Sequence, residues 1–364
     1  MRALALALLV GCAPPADEPL PLGSDAASCG SCHEDHFDQW EGSPHANASR
    51  SPILAALLPE VEAEWGALAR DTCEGCHAPA HDPGDDGIGC VSCHAATGNH
   101  EERDGALVVD PSAGIAGPFA DAAPSPAHRT RSGAFLASPS LCGTCHELTG
   151  PNLVNEPTLT EYRASPAAAE GRTCASCHLP ADGERLLSSD ASAPRATRSH
   201  RFVGFDPPWG APEDVAAAAA ERTRRLLAEA LELRVERAEG GVTVTVANVG
   251  AGHSVPTGAT FLRELWVDVE LDGAVIAERV LELGDQPMHG ERPVALLTQA
   301  DHVTGGSLEA GGSRSVFVPA EGPVEVVLRG RAIRGAVLDA LDLRALEPQI
   351  PTHEVHRVSG APTP

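Results

Sequence analysis

The stretch from Cys73 to His100, CEGCHAPAHDPGDDGIGCVSCHAATGNH, contains two Cys-x-x-Cys-His motifs in close succession. This motif is the attachment signature of a c-type haem: the two thiols bind the porphyrin and the His binds the iron. Since few residues separate the two motifs, the haems attached to them are expected to lie close together. Three further copies begin at Cys29, Cys142 and Cys174. The sequence therefore predicts five covalent haem c groups.

The five motifs contain ten of the 11 Cys residues of the chain. An alternative interpretation is a set of zinc sites or disulfides, because zinc sites also use Cys-x-x-Cys pairs and exported proteins often contain disulfides. Neither requires a His directly after the second Cys, so haem attachment is favoured. The predicted haem-binding residues are Cys29, Cys32, His33, Cys73, Cys76, His77, Cys90, Cys93, His94, Cys142, Cys145, His146, Cys174, Cys177 and His178.

The amino terminus has the features of an export signal. One Arg precedes an apolar run, Ala3 to Val10, that is much shorter than the about 20 residues needed to span a bilayer. Residues 1–11 are therefore predicted to be a signal peptide. Residues 12–28 are Pro-rich and polar beyond Cys12, which is typical of a flexible tether.

The segment Leu9-Val10-Gly11-Cys12 resembles the lipobox of bacterial lipoproteins. That resemblance implies cleavage before Cys12 and lipidation of this residue, and several acyl chains would give a stable membrane anchor. The alternative is a plain signal peptide with an incidental thiol. We expect an exported protein on the periplasmic side of the cell envelope, held as an outer-membrane lipoprotein or at the cell surface.

Composition narrows the class of partner. The formal net charge is −25, whereas a nucleic-acid-binding protein needs a basic surface. An acidic surface suits a basic redox partner, although solubility alone explains it equally well. Aromatic residues make up only 3% of the chain, so haem groups are expected to serve as the core. Residues 29–212 are thus predicted to be a pentahaem cytochrome c domain, with α-helices and irregular chain wrapped on the haems.

The second half has a different periodicity. Residues 213–233 form a linking-helix candidate rich in Ala and Leu, with acidic residues in its first turn. Apolar and polar residues then alternate, for example from Val242 to Val246 and from Leu265 to Leu271, and Gly-rich turns separate the runs. Residues 234–364 are predicted to be a small all-β, sandwich-like domain, and without Cys they attach no haem. In the first half, helical spacing predicts a helix from Pro52 to Arg70.

Each iron with two protein ligands needs a second His or Met. Only Met1 and Met288 are present, so most second ligands must be among the 11 His outside the motifs. His36 and His81 follow a motif His by three or four residues. They therefore lie on the same helix face and cannot reach the other side of the same porphyrin, though each could ligate a neighbouring haem. His353 and His356, near a Pro-rich end, are expected in solvent.

Five of these His occur in contexts that resemble the multihaem cytochromes c related to the tetrahaem electron acceptor of hydroxylamine oxidoreductase. The resemblance covers roughly residues 29 to 260. It implies that His45, His100, His128, His200 and His253 are distal iron ligands, and that the β-domain docks on the haem domain through His253. The matching segments are Trp40-Glu41-Gly42-Ser43-Pro44-His45, Gly98-Asn99-His100, Ser125-Pro126-Ala127-His128, Ser199-His200-Arg201-Phe202-Val203-Gly204 and Gly252-His253-Ser254-Val255-Pro256-Thr257-Gly258.

If all five irons have two His ligands, none is open to substrate, and the protein passes electrons between a periplasmic or membrane donor and a downstream acceptor. The resemblance also implies an alternative, because members of the wider family reduce nitrite, hydroxylamine or tetrathionate at a haem without a distal ligand. Such a reductase of a small nitrogen or sulfur oxyanion would need acid–base groups nearby. Arg129, Arg131, Arg201 and His81 are available but form no defined constellation in the sequence. The β-domain could in addition bind a partner protein.

Overall fold

The computed structural model describes residues 25–80, 86–121, 125, 127–150, 152–189 and 191–361. The predicted signal peptide, the predicted lipidation site Cys12, most of the tether and His81 lie outside these residues. Within the described chain, no helix has the length and apolar character needed to cross a membrane.

Regular structure in the first half is short. The strands among its described residues pair only in two-stranded sheets, and long described stretches between the haem motifs are turns and loops. The helices are α1 (Ala26–Gly30), α2 (Glu34–Glu41), α3 (Pro52–Trp65), α4 (Ala67–His77), α5 (Cys90–His94), α6 (Pro139–Gly143), α7 (Thr158–Ala164), α8 (Pro166–Ala169) and α9 (Cys174–His178). The strands are β1 (Ala96–Asn99), β2 (Leu107–Val109), β3 (Ile115–Gly117), β4 (Thr130–Ser132), β5 (Leu148–Thr149), β6 (Asn155–Glu156), β7 (Ala181–Arg185) and β8 (Arg195–Arg198).

The helix predicted from Pro52 to Arg70 is two helices. Ser51 caps the first by accepting a hydrogen bond from the Leu54 amide, and the second continues to the end of the second haem motif. They meet at Gly66, whose φ of 88° is a conformation that favours glycine. The break lets α3 and α4 run in different directions, so that α3 packs on the C-terminal region while α4 carries Cys73 to His77.

The segment predicted to be a linking helix is helical, and the helix ends three residues earlier than predicted. It is α10 (Glu213–Ala230), and Glu213 and Asp214 lie in its first turn, where negative charge stabilises a helix. Leu231, which is 1% exposed, already belongs to the first strand of the C-terminal region.

The C-terminal region is rich in antiparallel strands, and the predicted alternating runs are confirmed as strands. One sheet has the order β15-β10-β9, and the other has the order β13-β12-β11-β16-β17, with β14 paired to β12. The strands are β9 (Leu231–Ala238), β10 (Gly241–Asn248), β11 (Glu264–Leu271), β12 (Ala274–His289), β13 (Arg292–Pro293), β14 (His302–Gly306), β15 (Ser313–Pro319), β16 (Val324–Arg331) and β17 (Thr352–Gly360); α11 (Gly335–Ala340) lies between the last two.

Both sheets contribute to one hydrophobic cluster. Val242, Val244 and Val246 of β10 are fully buried, as their two-residue spacing predicts. Leu265 and Leu328 of the larger sheet are equally buried in the same cluster. Burying one such side chain contributes about 1.5–3 kcal/mol, so this cluster is a major source of stability for a region that attaches no haem.

The expectation that His353 and His356 lie in solvent is wrong. Both belong to β17, which completes the larger sheet before the Pro-rich end begins. His353 is 6% exposed and packs against Phe205, and the His356 ring donates to the Leu231 carbonyl at 2.6 Å.

Candidate haem sites

Each Cys-x-x-Cys-His motif forms about one helical turn. The His33 amide donates to the Cys29 carbonyl at 2.9 Å, and the His146 amide donates to the Cys142 carbonyl at 2.9 Å. Residues i, i+3 and i+4 of a helix lie on one face, so each motif presents two thiols and an imidazole together. None of the ten motif Cys forms a disulfide, and no cluster of three or more metal-binding side chains is found in the described part of the chain.

Four of the five motif His rings face a second His ring across a constant gap. The two planes in each pair lie within 31° of parallel. The ring centres are 6.4 Å apart for His33 and His128, 6.4 Å for His45 and His146, 6.2 Å for His94 and His200, and 6.2 Å for His178 and His253.

This gap fits one iron atom. A metal–imidazole bond of about 2.0–2.1 Å on each side, with about 1.1 Å from the bonded nitrogen to the ring centre, predicts a separation of about 6.2–6.4 Å. The observed separations fall within that range, although nothing in ordinary side-chain packing requires four pairs to share it. The pairs therefore fit a haem iron with two axial His ligands.

Hydrogen bonds at Nδ1 orient most of these rings. A ring that donates from Nδ1 to a carbonyl keeps the lone pair of Nε2 free for a metal. Among the motif His, the acceptors are the carbonyls of Leu187 for His33 (2.6 Å), Ala48 for His77 (2.9 Å), Ala116 for His94 (2.7 Å) and Val203 for His178 (2.7 Å). Among the His rings that face them, His200 donates to the Arg198 carbonyl (3.0 Å) and His253 donates to the Ser254 carbonyl (2.8 Å).

Burial keeps the rings in the form that binds metal. It lowers the pKa of His45 to about 3, and those of His146 and His200 to about 4; neighbouring imidazoles add to the effect in each case. These rings are therefore neutral at neutral pH, and a neutral imidazole is the species that ligates a metal.

His77 and His100 are the exceptions. His77 donates from Nδ1 to a carbonyl as His33, His94 and His178 do, yet no ring among the described residues faces it across the gap. His100 is exposed in the turn between β1 and β2, where its amide donates to the Ala106 carbonyl at 2.8 Å. The structure thus brings four of the five predicted distal His to a motif His, and does not bring His100 to His77.

Three charged residues lie near the second motif, and sequence analysis named none of them. Arg263 donates to both carboxylate oxygens of Asp206, at 2.6 and 2.7 Å, and to the Ala332 carbonyl at 3.1 Å. Although burial alone would raise the pKa of Asp206, the Arg263 guanidinium holds it below its usual value. Asp206 lies near enough to His77 for its charge to oppose the lowering of the His77 pKa by burial.

Glu156 is the third of these residues. Burial raises its pKa to about 7, while the Arg263 charge opposes the shift. Burial, Cys76 and the charge of Glu156 together raise the pKa of the Cys73 thiol, which places Glu156 beside the second motif. No sequence signal marks these residues, because Glu156, Asp206 and Arg263 come from separate segments that only the fold joins.

The thiols also show which motifs are neighbours. The sulfurs of Cys29 and Cys90 lie close enough to affect each other's pKa, as do those of Cys76 and Cys145, and those of Cys142 and Cys174. The third motif adjoins the fourth, because Cys93 acts electrostatically on the fourth motif's thiols. The attachment sites therefore form a connected series, first–third–fourth–fifth, and the second motif branches from the fourth.

The loop that carries His253 is tied to the first half of the chain. The amide and hydroxyl of Ser254 donate to Glu161 at 3.0 and 2.6 Å, and the hydroxyls of Thr158 and Thr257 bond at 2.7 Å. A Cβ at Gly252 would lie only 3.0 Å from the Ala167 side chain, so the close approach favours glycine.

His36 and Gln39 contact His200 and hold it in place. His36 bonds to the Thr197 hydroxyl at 3.0 Å and packs edge-on against His200 at 4.6 Å, so it supports a facing ring rather than facing an imidazole itself. Gln39 accepts a hydrogen bond from the His200 amide at 2.8 Å.

Of the residues that the sequence offers as acid–base groups for a reductase, Arg131 donates to the carbonyls of Gly114 and Ala96.

These sites define a class, the c-type cytochromes with several haems, and comparisons with known proteins agree. The family model described as "Cytochrome c554 and c-prime" matches residues 28–95, which include the first three motifs. The crystal structure of a penta-heme cytochrome c552 from Thermochromatium tepidum is similar, with a TM-score of 0.68 and 16% identity, over 94% of this chain and 100% of that chain. No curated protein matches the sequence. Together these findings support a multihaem cytochrome c with covalently bound haem c and redox partner proteins.

Proposed function

We propose that this protein transfers electrons through five covalently bound haems, four of which are held between two His. The observation that carries the proposal is the set of four His pairs with ring centres 6.2–6.4 Å apart. Haem c, when bound, supplies an iron that accepts and releases one electron. Paired His ligands leave such an iron no position for a substrate and favour a lower potential than a His/Met pair.

The arrangement of the motifs supports electron transfer along the chain of haems. The proximity of Cys29 to Cys90 places the first motif beside the third, and that of Cys142 to Cys174 places the fourth motif beside the fifth. The first and fifth motifs lie at the two ends of this series, and we propose that redox partners exchange electrons there. We propose a periplasmic or membrane donor and a downstream acceptor as these partners.

The proposal also covers the cellular location of the protein, its family relationship and the architecture of its C-terminal region. The apolar start of the chain and Cys12 support export and a lipid anchor on the periplasmic side of an outer membrane or on the cell surface. The contexts of His45, His128, His200 and His253 support a relation to the tetrahaem electron acceptor of hydroxylamine oxidoreductase. The hydrophobic cluster shared by the two sheets supports a sandwich for the C-terminal region.

A second candidate function is reduction of a small nitrogen or sulfur oxyanion at the haem of His77. One observation favours it: among the described residues, His77 has no facing ring, while Arg263, Asp206 and Glu156 lie around the same motif. In that case four haems would supply electrons to one open iron.

Low-temperature EPR of the oxidised holoprotein, with haem content measured alongside, tests both candidates. We expect five haems per chain, four with low-spin and one with high-spin iron. If all five irons are low-spin, the second candidate function fails and electron transfer alone remains. A haem content clearly below five would overturn the proposed haem number, and high-spin signals from several haems would overturn the assignment of the His pairs as ligands.

A further inference from the structure

Glu156, Asp206 and Arg263, the charged cluster at the second motif, differ in how they are paired. The two hydrogen bonds between Arg263 and Asp206 form a bidentate ion pair, so the two charges cancel locally. Glu156 receives no hydrogen bond on its carboxylate from any described residue. It lies deep in the protein while retaining some accessible surface.

The position of Glu156 is set by its neighbours on both sides. It belongs to β6, which pairs with β5 directly after the fourth motif, and two residues further on Thr158 bonds to Thr257. Gly258, with a φ of 72°, follows Thr257, and a Cβ there would lie 3.9 Å from Glu156 Oε2. The fold therefore holds an unpaired carboxyl group in place, although an unpaired buried carboxylate is unfavourable.

This carboxyl group belongs to the haem site of His77. Its charge acts on both thiols of the motif, Cys73 and Cys76. On the other side of the cluster, Asp206 acts on the His77 ring, which no described ring faces. Glu156 is thus the one unpaired proton-binding group of the cluster.

The charge of the site depends on Glu156. Arg263 and Asp206 cancel, so the cluster is neutral when Glu156 is protonated and carries one negative charge when it is ionised. Coulomb repulsion in a buried site is strong, so an anion is disfavoured in the ionised state. The protonated carboxyl, in contrast, can donate a hydrogen bond to an anion.

We propose, on the basis of the open haem site suggested above, that the cluster and the haem of His77 form a binding site for small anions, and that Glu156, where it is ionised, takes up one proton with each anion bound. The proton comes from solvent and stays on Glu156, so the charge of the buried site is unchanged by binding. Arg263 and Asp206 hold the site's fixed charges, and the thioether sulfurs of Cys73 and Cys76 do not titrate. The raised pKa of Glu156, about 7, agrees with this role.

Azide titrations of the oxidised holoprotein, followed by optical and EPR spectra at several pH values from about 6 to about 8.5, test the proposal. Azide stays an anion over this range. Above the pKa of Glu156 we expect its affinity to fall about tenfold per pH unit, because one proton is taken up per anion. Glu156→Gln should bind azide with little dependence on pH, whereas Glu156→Asp should keep a dependence.

Two controls make the result specific. Glu64→Gln removes an exposed carboxylate of α3 and should keep the wild-type slope. Carbon monoxide, a neutral ligand of the reduced protein, should bind with the same affinity across the range.

If Glu156→Gln keeps the tenfold slope, the proton goes elsewhere and the role of Glu156 is overturned, while the open haem site stands. If the wild type shows no high-spin haem and binds no azide, the open site fails and this inference fails with it.

Discussion

Replacing His253 with Ala isolates the contribution of the C-terminal region to the haem sites. The His253 ring faces His178 at 6.2 Å, and its Nδ1 bonds only to the neighbouring Ser254 carbonyl. The loop itself is held by the Ser254–Glu161 and Thr158–Thr257 bonds, which do not involve the ring. The substitution should therefore remove one axial ligand and leave the loop in position.

The expected change in spin state follows from the distance between the His178 and His253 rings. An iron midway between rings 6.2 Å apart lies about 3 Å from each ring centre, and an Ala side chain ends well short of bonding distance. One haem should change from low-spin to high-spin, so the high-spin content rises by one haem per chain. His253→Met should instead keep a low-spin haem and raise its potential, since a His/Met pair favours the reduced iron more than two His do.

EPR spin quantitation against total haem measures this change, and a potentiometric titration measures the shift in the Met variant. His100→Ala is the matched control, because His100 is exposed and faces no described motif ring; its spectrum should equal that of the wild type. The reasoning is refuted if His100→Ala gains a high-spin haem and His253→Ala does not, since that would make His100 the ligand.

Two further predictions concern stability. Glu270 is 5% exposed and accepts hydrogen bonds from Arg329 and Arg357. Glu270→Ala should therefore lower the free energy of unfolding, measured by urea titration, by about 1–2 kcal/mol, whereas the control Glu278→Ala on the neighbouring strand should leave it unchanged. A change for Glu270→Ala that is smaller than the error of the measurement would contradict this prediction. Because the folded-state pKa of Glu156 is raised from 4.5 to about 7, wild-type stability is lost as pH rises through that interval. Glu156→Gln should gain up to about 3 kcal/mol relative to wild type above that interval and nothing below it; a pH-independent difference would contradict the shift.

How much the sequence predicts depends on how local each feature is. Each motif is complete within five consecutive residues, so the sequence alone is enough to name the candidate attachment residues. The strands could be predicted because alternation in Val242 to Val246 is a property of neighbours. Which rings face each other could not, because His33 and His128, or His94 and His200, are brought together only by the fold.

His100 shows that a local sequence context does not by itself place a ring beside a motif His. It lies six residues after His94, in a context resembling that of a ligand, yet the β1–β2 turn fixes its backbone at the surface. The residues that do lie around the second motif carry no recognisable context at all. Asp206 precedes α10 and Arg263 precedes β11, and only the docking of the two regions joins their charges.

The contacts between the C-terminal region and the first half of the chain indicate the role of the C-terminal region. A module that only bound a partner protein would have no reason to bury its own side chains in the cofactor sites of the other half. Here His253 faces His178, and Arg263 pairs with Asp206 beside His77. The strand-rich region therefore supplies residues to two different candidate haem sites, one by a ring that fits an axial ligand and one by charge. Partner binding on its outer surface remains compatible with this, but the contacts make the region a structural part of the haem assembly.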